Sequence, residues 1–355
     1  MVKQSEYIQR PLFWISPQTH DMITTGVVVL LKFMEKQFME THPVNTFSLY
    51  YRGKYGQAVG KIPLDIGLVC PNREHGGCIY CRPGSFTPSY LDKNDSLALQ
   101  LALGKKYLLK DRFRLFFGYF QQETSTALPA AELLPVLAEV LADRDCVGVI
   151  ISTRPDSLDR LLLQKLAELA RSTGKEFLLE IGLQSFHERS LRLLNRNHSV
   201  QDFVNAVTRI KKTPELQIGV HLILGIPNES EEEMRATLHA VCDLSVDALK
   251  LHHLQVIHDT PLHAMHRRHE IPVFTADGYL ELLTRLLPEI PYHIVIHRLW
   301  SASHPDLLVA PRWDLFAGNL SARLRGMMEE QGVYQGKFAD CPEARRSEKS
   351  DKKIS

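Results

Sequence analysis

Three cysteines lie within twelve residues of one another, at Cys70, Cys78 and Cys81, in the stretch CPNREHGGCIYC. The two-residue gap between Cys78 and Cys81 lets both thiolates reach one metal ion or one face of a cluster. Gly76 and Gly77 allow the chain to turn tightly just before the second cysteine. The spacing therefore predicts a metal centre held by these three sulfur atoms.

Two kinds of metal centre fit a set of three cysteines, and the fourth ligand distinguishes them. A zinc ion would take His75 as its fourth ligand and form a structural Cys3His site. A 4Fe-4S cluster would keep one iron atom without a protein ligand, open to a small molecule. The spacing alone leaves both alternatives open.

The composition is that of an ordinary globular chain. Of 355 residues, 42 are basic and 41 acidic, so the formal charge of +1 does not point to a nucleic acid or an anionic membrane. The most apolar stretch, residues 26–33, contains Lys32 and is far shorter than the roughly 20 apolar residues of a membrane helix. With no signal-peptide pattern, we expect a cytoplasmic protein with reduced thiols and no membrane partner.

The elements that must position the cysteines follow a regular alternation. Six apolar runs, at 62–69, 113–121, 146–152, 176–184, 216–225 and 246–257, are separated by segments with helical period. Such alternation predicts parallel strands with right-handed crossovers, in a barrel, a partial barrel or an open doubly wound sheet. In each case the active site lies at the carboxyl ends of the strands, and the cysteine stretch follows the first strand. Glu180 and Gln184 lie four residues apart on one strand, so both are predicted to face the lumen.

The frame KIPLDIGLVCPNR…GGCIYC, which begins at Lys61, resembles the YhcC-type subgroup of the radical SAM superfamily. The usual spacing in that superfamily is C-x3-C-x2-C, whereas the subgroup has a longer first gap that ends in Gly-Gly-Cys. The stretches STRPDSL at Ser152, LEIGLQS at Leu179, LILGIPNE at Leu222 and ALKLHHLQVIHDTPL at Ala248 are similar to the same subgroup. Several also resemble the radical SAM domain of the Elongator catalytic subunit. The resemblance covers roughly residues 44–340.

The resemblance implies an α/β fold, a partial (β/α)6 TIM-type barrel with N- and C-terminal extensions. On this basis residues 1–43 form an N-terminal extension and residues 44–258 the radical SAM core. Residues 259–340 form a C-terminal extension that packs on the barrel. Residues 341–355 form a polar tail, which is expected to be disordered because it lacks apolar residues.

The resemblance also implies the cofactors. Cys70, Cys78 and Cys81 would hold a 4Fe-4S cluster whose open iron binds S-adenosylmethionine, which disfavours His75 as a ligand. One electron, from a donor such as flavodoxin or ferredoxin, would cleave S-adenosylmethionine to methionine and a 5'-deoxyadenosyl radical that abstracts hydrogen from the substrate. The substrate is unidentified, and the likeness to Elongator suggests RNA or tRNA modification. The competing hypothesis is a non-enzymatic, zinc-stabilised barrel that acts as a binding or scaffold protein.

The resemblance to the radical SAM cluster loop suggests Tyr80 as a contact to S-adenosylmethionine, and similarity to oxygen-independent coproporphyrinogen dehydrogenase suggests four more. Tyr80 would lie near the adenine, and Gln184 and Arg196 would bind the ribose and the methionine carboxylate. Thr124 ends the segment YFQQET, which stands where that enzyme has a glycine-rich segment and lacks its glycines. His221 stands where that enzyme has an acidic ribose ligand. The sequence assigns no catalytic acid or base.

Overall fold

The computed structural model describes residues 34–110 and 112–339. From Pro43 onward they form one compact unit, and residues 34–41, which are helical, belong to another. The predicted N-terminal extension up to residue 33, Cys341 and the predicted polar tail lie outside the described residues. The domain boundaries at residues 43, 258 and 340 remain predictions.

The core of the larger unit is one sheet of seven parallel strands. In chain order these are β1 (Val59–Leu64), β2 (Leu115–Phe120), β3 (Cys146–Thr153), β4 (Glu176–Gln184), β5 (Leu216–Leu224), β6 (Ala248–His253) and β8 (Val295–Arg298). Neighbours in the sheet follow this chain order, so each strand pairs with the one before it. Two short strands, β7 (Val256–Ile257) and β9 (Leu308–Ala310), form a separate antiparallel pair.

Ten helices accompany the strands in the described part of the larger unit, and most of them pack on the outside of the sheet. They are α1 (Phe47–Tyr55), α2 (Leu97–Gly104), α3 (Ala130–Leu141), α4 (Arg160–Thr173), α5 (Glu188–Leu193), α6 (Val200–Ile210), α7 (Glu231–Asp243), α8 (Pro261–Arg267), α9 (Ala276–Leu286) and α10 (Ala317–Glu330). Ser199 and Ser230 form capping boxes that start α6 and α7. Within the described ranges, no helix combines the length and apolarity of a membrane crossing. The predicted partial barrel is confirmed, with β8 as a seventh strand.

Side chains of each strand alternate between the helices and the lumen. In β4 the outward side chains belong to the core shared with the helices, and they are Phe177, Leu179, Ile181 and Leu183. Between them Glu180 and Gln184 face the lumen, on the same face of the strand, as the spacing predicts. The barrel therefore has an apolar outer layer and a lumen that can carry polar groups.

The amino-terminal end of the lumen is closed by α1. Phe47 and Tyr51 of this helix are buried against Phe117, Leu178 and Val295, which lie in the first halves of their strands. The ring centres of Phe47 and Phe117 are 5.8 Å apart. The lumen is thus filled by aromatic and aliphatic side chains at this end and is left for ligands at the carboxyl end.

Two predicted strand boundaries are wrong. The first strand ends at Leu64, because Asp65 accepts a hydrogen bond from the amide of Gly67 (2.8 Å) and Gly67 adopts a left-handed φ of 72°. Cys70 therefore follows the strand after a five-residue connection rather than immediately. The run 246–257 divides into β6 and β7, since β7 leaves the sheet to pair with β9.

Gly148 marks a close approach between β3 and β4. A Cβ atom at this position would lie 2.8 Å from Cβ of Glu176 and closer still to the Glu176 carbonyl oxygen. We expect Gly148→Ala to lower the free energy of unfolding by about 2 kcal/mol or more, because backbone atoms must shift to admit the methyl group. Chemical denaturation measures the change.

The matched control is Gly53→Ala in α1, where a Cβ atom meets nothing within 4 Å. That substitution should stabilise the protein by about 0.5–1 kcal/mol, because alanine loses less conformational entropy in a helix. Equal effects of the two substitutions would contradict the steric account of Gly148.

Candidate active site

A cavity of about 200 Å³ lies at the carboxyl ends of the strands. Its lining includes every residue that the sequence predicts for metal or cofactor binding: Cys70, Cys78, Cys81, Tyr80, Thr124, Gln184, Arg196 and His221. These residues come from the segments that follow β1 and β2, from β4 and β5, and from the turn after α5. The structure thus brings all eight residues to one cavity, because parallel strands end on the same side of the barrel.

The long first gap between the cysteines folds as an ordered turn. Residues Pro71–His75 form a short 3-10 helix, and Gly76 and Gly77 follow with left-handed φ values of 86° and 73°. The side-chain amide of Asn195 donates to the carbonyl oxygens of His75 (2.9 Å) and Gly77 (2.7 Å). The turn between α5 and α6 therefore holds the gap in place, a role that the sequence did not reveal.

Asn72 links the same turn to a cysteine sulfur. Its side-chain nitrogen donates to the Asn195 carbonyl (2.7 Å) and lies 3.2 Å from Sγ of Cys78. Its side-chain oxygen accepts from Asn197 (2.7 Å). Asn72 is buried, so these bonds satisfy its amide and fix the orientation that presents an N–H group to Cys78.

The segment after β2 supports the other two cysteines. The hydroxyl of Thr124 donates to Sγ of Cys70 (3.3 Å), and the Glu123 carboxylate accepts from the Cys70 amide (3.0 Å). Glu123 also forms an ion pair with Arg73 (3.0 Å), whose guanidinium lies 3.8 Å from Sγ of Cys81. Glu123 thus supports the cysteine loop from a segment that is rich in glycine in oxygen-independent coproporphyrinogen dehydrogenase.

Arg196 places a buried cation beside Cys78. Only 6% of its surface is exposed, and its guanidinium donates to the Gly182 carbonyl (2.6 Å) and to Sγ of Cys78 (3.4 Å). It also lies 3.5 Å from the hydroxyl of Tyr80. Burial, together with the charge of Cys78, raises the pKa of Cys81 to about 12, and Arg73 opposes this rise. Burial therefore disfavours the thiolate form of Cys81.

Three cysteine sulfurs can hold one zinc ion together with a histidine, or three of the four irons of a 4Fe-4S cluster. His75 is exposed and lines a separate depression with Glu74 and Asn72. In iron–sulfur proteins, hydrogen bonds to the ligand sulfurs are among the outer contacts that set the reduction potential of the cluster.

Gln184 points into the cavity at a position where the end of β4 is irregular. The register with β5 shifts between Gly182 and Gln184, and Gln184 has a left-handed φ of 76°. Its side-chain oxygen is buried and has no partner among the described residues. A Cβ atom on Gly182 would lie 3.0 Å from the side-chain nitrogens of Gln184 and Arg196. The glycine thus leaves room for both side chains, and Gln184 retains an acceptor for a ligand.

Deeper in the lumen lies a buried ion pair. Glu180 and Lys250 are 4% and 5% exposed, and the ammonium of Lys250 lies 2.9 Å from the Glu180 carboxylate. The hydroxyl of Tyr119 donates to the same carboxylate oxygen (2.6 Å), as does that of Ser152 (3.2 Å). Burial would raise the pKa of Glu180, but Lys250 and then Lys61 hold it well below its usual range. Lys250 is a cavity residue that the sequence analysis did not identify, although the alternation of side chains along β6 places it on the inward face.

Two neutral histidines line the lumen next to this pair. The rings of His221 and His252 are 4.1 Å apart, and Nε2 of each is buried without a partner among the described residues. Burial lowers the pKa of both well below the usual value; Lys250 adds to the effect on His221, and His221 to that on His252. Each ring can therefore donate or accept one hydrogen bond to a bound molecule.

His253 makes the stability of the fold depend on pH. Its ring packs on Trp313 (centroids 4.0 Å apart), its Nδ1 accepts from the Ser301 amide (3.3 Å), and burial lowers its pKa to about 3. An unfolded histidine titrates near pH 6.5, so between about pH 6.5 and 3 only the unfolded chain takes up this proton. The stability is therefore complete above pH 6.5 and falls on acidification, by up to about 1.4 kcal/mol per pH unit.

In His253→Gln this contribution should be absent. Between pH 7 and pH 5, we expect wild-type protein to lose about 2 kcal/mol more free energy of unfolding than the variant. Urea denaturation at the two pH values gives the difference, and identical losses would refute this role of His253.

Comparison with known sequences matches this chain to two family models and to several relatives. The sequence model of the Radical SAM superfamily matches residues 66–241, and that of the Radical_SAM C-terminal domain matches residues 246–330. The uncharacterized protein MJ0486 of Methanocaldococcus jannaschii is 30% identical over 311 residues, which cover 86% of this chain and 95% of that protein. Protein YhcC of Escherichia coli is 30% identical over 274 residues, 76% of this chain and 87% of that protein.

More distant relatives share part of the chain. The tRNA uridine(34) acetyltransferase of Methanocaldococcus jannaschii is 26% identical over 195 residues, 54% of this chain but only 34% of that protein. The solved structure of Elp3 from Methanocaldococcus infernus has the same fold, with a TM-score of 0.59 and 19% identity over 79% of this chain and 64% of that one. The chain belongs to the radical SAM superfamily, whose members normally bind a 4Fe-4S cluster and S-adenosylmethionine.

Proposed function

We propose that this chain is a radical SAM enzyme in which Cys70, Cys78 and Cys81 hold a 4Fe-4S cluster with one open iron for S-adenosylmethionine. When bound, this cofactor pair supplies the one-electron cleavage that yields methionine and a 5'-deoxyadenosyl radical. The observation that carries the proposal is that all three thiols line one cavity and each sulfur accepts a hydrogen bond from a neighbouring side chain. Flavodoxin or ferredoxin would be the electron donor.

The chain's own residues would then bind and orient S-adenosylmethionine. Arg196, a buried guanidinium beside Cys78, suits the methionine carboxylate, and the unpartnered oxygen of Gln184 suits a ribose hydroxyl. Tyr80 would lie against the adenine. Thr124 donates to Cys70, so it would act by positioning that sulfur. The neutral ring of His221 offers one further hydrogen bond.

For the substrate we propose a nucleoside within RNA. The support is the partial similarity to the tRNA uridine(34) acetyltransferase, which covers about a third of that protein and leaves the rest of it unmatched. The formal charge of +1 provides no general attraction to RNA. Recognition would therefore depend on local contacts around the cavity mouth rather than on the overall charge.

Metal analysis of anaerobically purified protein tests the first part of the proposal. We expect brown protein with about four irons per chain and absorbance near 400 nm. Addition of dithionite and S-adenosylmethionine should then release 5'-deoxyadenosine. Colourless protein with stoichiometric zinc under the same conditions would favour the scaffold hypothesis instead.

Nucleoside analysis tests the substrate. Total RNA from cells with and without the gene is digested to nucleosides and compared by mass spectrometry. We expect one modified nucleoside to change and to be restored by the wild-type gene but not by Cys78→Ala. Unchanged nucleosides together with a changed small metabolite would exclude RNA as the substrate.

A further inference from the structure

The last strands of the sheet form one wall of the cavity. None of the predicted cofactor contacts belongs to this wall. Its side chains, named here the polar wall, are Lys250, His252, Gln255, Arg298, Ser301 and Ser303. Lys250 and His252 belong to β6 and Arg298 to β8, and the others lie in the connections that follow these strands. The polar wall borders the same cavity as the cysteines, so a molecule bound to it lies near the proposed cofactors.

A one-residue shift in register brings two cations together on this wall. Leu249 pairs with Ile296, but Lys250 pairs with Arg298, because the register of β6 and β8 shifts between Leu249 and Lys250. In a regular ladder His297 would stand next to Lys250. Side chains at paired positions of parallel strands point to the same face, so the shift turns Arg298 toward the lumen beside Lys250.

Only one of these cations has an anionic partner. Lys250 pairs with Glu180, whereas the side chain of Arg298 forms no hydrogen bond or ion pair with any other described residue. Lys61 of β1 lies close to Glu180, Lys250 and Arg298, with its side-chain nitrogen 4.0 Å from the centre of the Phe47 ring, but burial lowers its pKa to about 7. Without Lys61, one carboxylate near the polar wall faces two cations, Lys250 and Arg298. An excess of positive charge in a shielded cavity is costly unless an anion compensates it.

The wall also contains neutral hydrogen-bonding groups, and one of them lacks a partner. Nε2 of His252 is buried without one among the described residues, and burial keeps this ring neutral. The hydroxyl of Ser303 is already bonded to the side-chain oxygen of Gln255 (2.6 Å), which fixes the orientation of that amide. A forked guanidinium, an ammonium and a neutral imidazole are the groups that bind the oxygen atoms of a carboxylate or a phosphate.

We propose that the polar wall binds an oxyanionic group of the substrate, a carboxylate or a phosphate, with Arg298 as its principal cation. This inference rests on the proposed function, which places the reacting part of the substrate in the same cavity. Arg196, next to Cys78, serves the carboxylate of S-adenosylmethionine in that proposal, so Arg298 and Lys250 are left for the substrate. The anion would hold the substrate at a fixed depth below the cavity mouth and thereby select which hydrogen is abstracted.

Binding of small probes to the holoprotein, saturated with S-adenosylmethionine, tests this inference. Saturation-transfer NMR titrations use acetate, methylphosphonate and the neutral acetamide, each of which carries one methyl group for detection. We expect at least one anion to bind more tightly than acetamide. Arg298→Gln should weaken that binding by about tenfold or more, the effect of losing a charge-assisted hydrogen bond. Arg325→Gln, an exposed residue of α10, is the matched control and should leave the affinity unchanged.

The outcomes separate the inference from the function on which it rests. Equal affinities of wild-type protein and Arg298→Gln, or equal binding of acetamide and both anions, would overturn the inference. The ratio of acetate to methylphosphonate affinity identifies the group as a carboxylate or a phosphate. Release of 5'-deoxyadenosine is assayed on the same preparations. Anion binding without cleavage would count against the proposed function alone, and cleavage without anion binding would count against the polar wall alone.

Discussion

Replacing Cys78 with alanine is expected to lower the rate of 5'-deoxyadenosine formation by more than about 100-fold, since even outer partners of metal ligands change affinity by about 10–100-fold. Cys78 is the most buried of the three cysteines, and it accepts hydrogen bonds from both Asn72 and Arg196. Its removal takes away one of the three proposed cluster ligands and leaves Arg196 without its sulfur contact. Iron content and 5'-deoxyadenosine are measured after anaerobic reconstitution.

Cys242→Ala is the control, because Cys242 lies in α7 and does not line the cavity. It should keep the iron content and cleavage rate of the wild type to within about twofold. Unchanged far-ultraviolet circular dichroism of Cys78→Ala separates loss of the ligand from loss of the fold. Wild-type iron and activity in Cys78→Ala would remove the basis for the proposed cluster.

The second large effect concerns the buried ion pair. Glu180→Gln is expected to lower the free energy of unfolding by about 3 kcal/mol, because it leaves the Lys250 ammonium buried without its counter-ion. The cost is high because burial has already lowered the pKa of Lys250 to about 8, against the attraction of Glu180. Guanidinium denaturation of the protein without cofactors measures the loss.

A double-mutant cycle isolates the pair from other effects. In Glu180→Gln/Lys250→Met both charges are removed, and we expect a coupling energy of about 2 kcal/mol between the two sites. Glu168→Gln breaks the exposed pair with Lys165 and should cost less than about 1 kcal/mol. If Glu180→Gln cost no more than Glu168→Gln, the pair would not stabilise the barrel.

The general fold and the position of the site follow from simple patterns, whereas its residues other than the three cysteines were taken from a family resemblance. Alternating apolar runs predict parallel strands, and parallel strands end on one side, so residues that follow different strands were expected to meet. Thr124, Gln184 and His221 do line one cavity with the cysteines for this reason. The inward face of Glu180 follows from the two-residue period of a strand.

Other features depend on geometry that local patterns do not encode. Glu123 meets Arg73 only because the cysteine loop folds back onto the segment after β2, fifty residues further along the chain. Asn195 supports the loop across an even longer separation. Arg298 reaches the lumen through a single shift in register, in addition to His297, whose ring packs against Phe47 (centroids 5.1 Å apart). The first strand ends at Leu64 because the chain turns at Gly67, and this turn lies within the apolar run 62–69 that predicted a longer strand.

Because α1 closes the amino-terminal end of the barrel, it affects the order in which the proposed ligands can bind and leave. Phe47 and Tyr51 close that end, and among the described residues the entrance to the cavity lies at the carboxyl ends of the strands, with the cysteines. A macromolecule docked over that entrance would block the passage of anything smaller. In the proposed reaction S-adenosylmethionine would therefore have to arrive before such a partner, and methionine and 5'-deoxyadenosine could leave only after the partner departs. Release of the large product would then limit the rate of turnover.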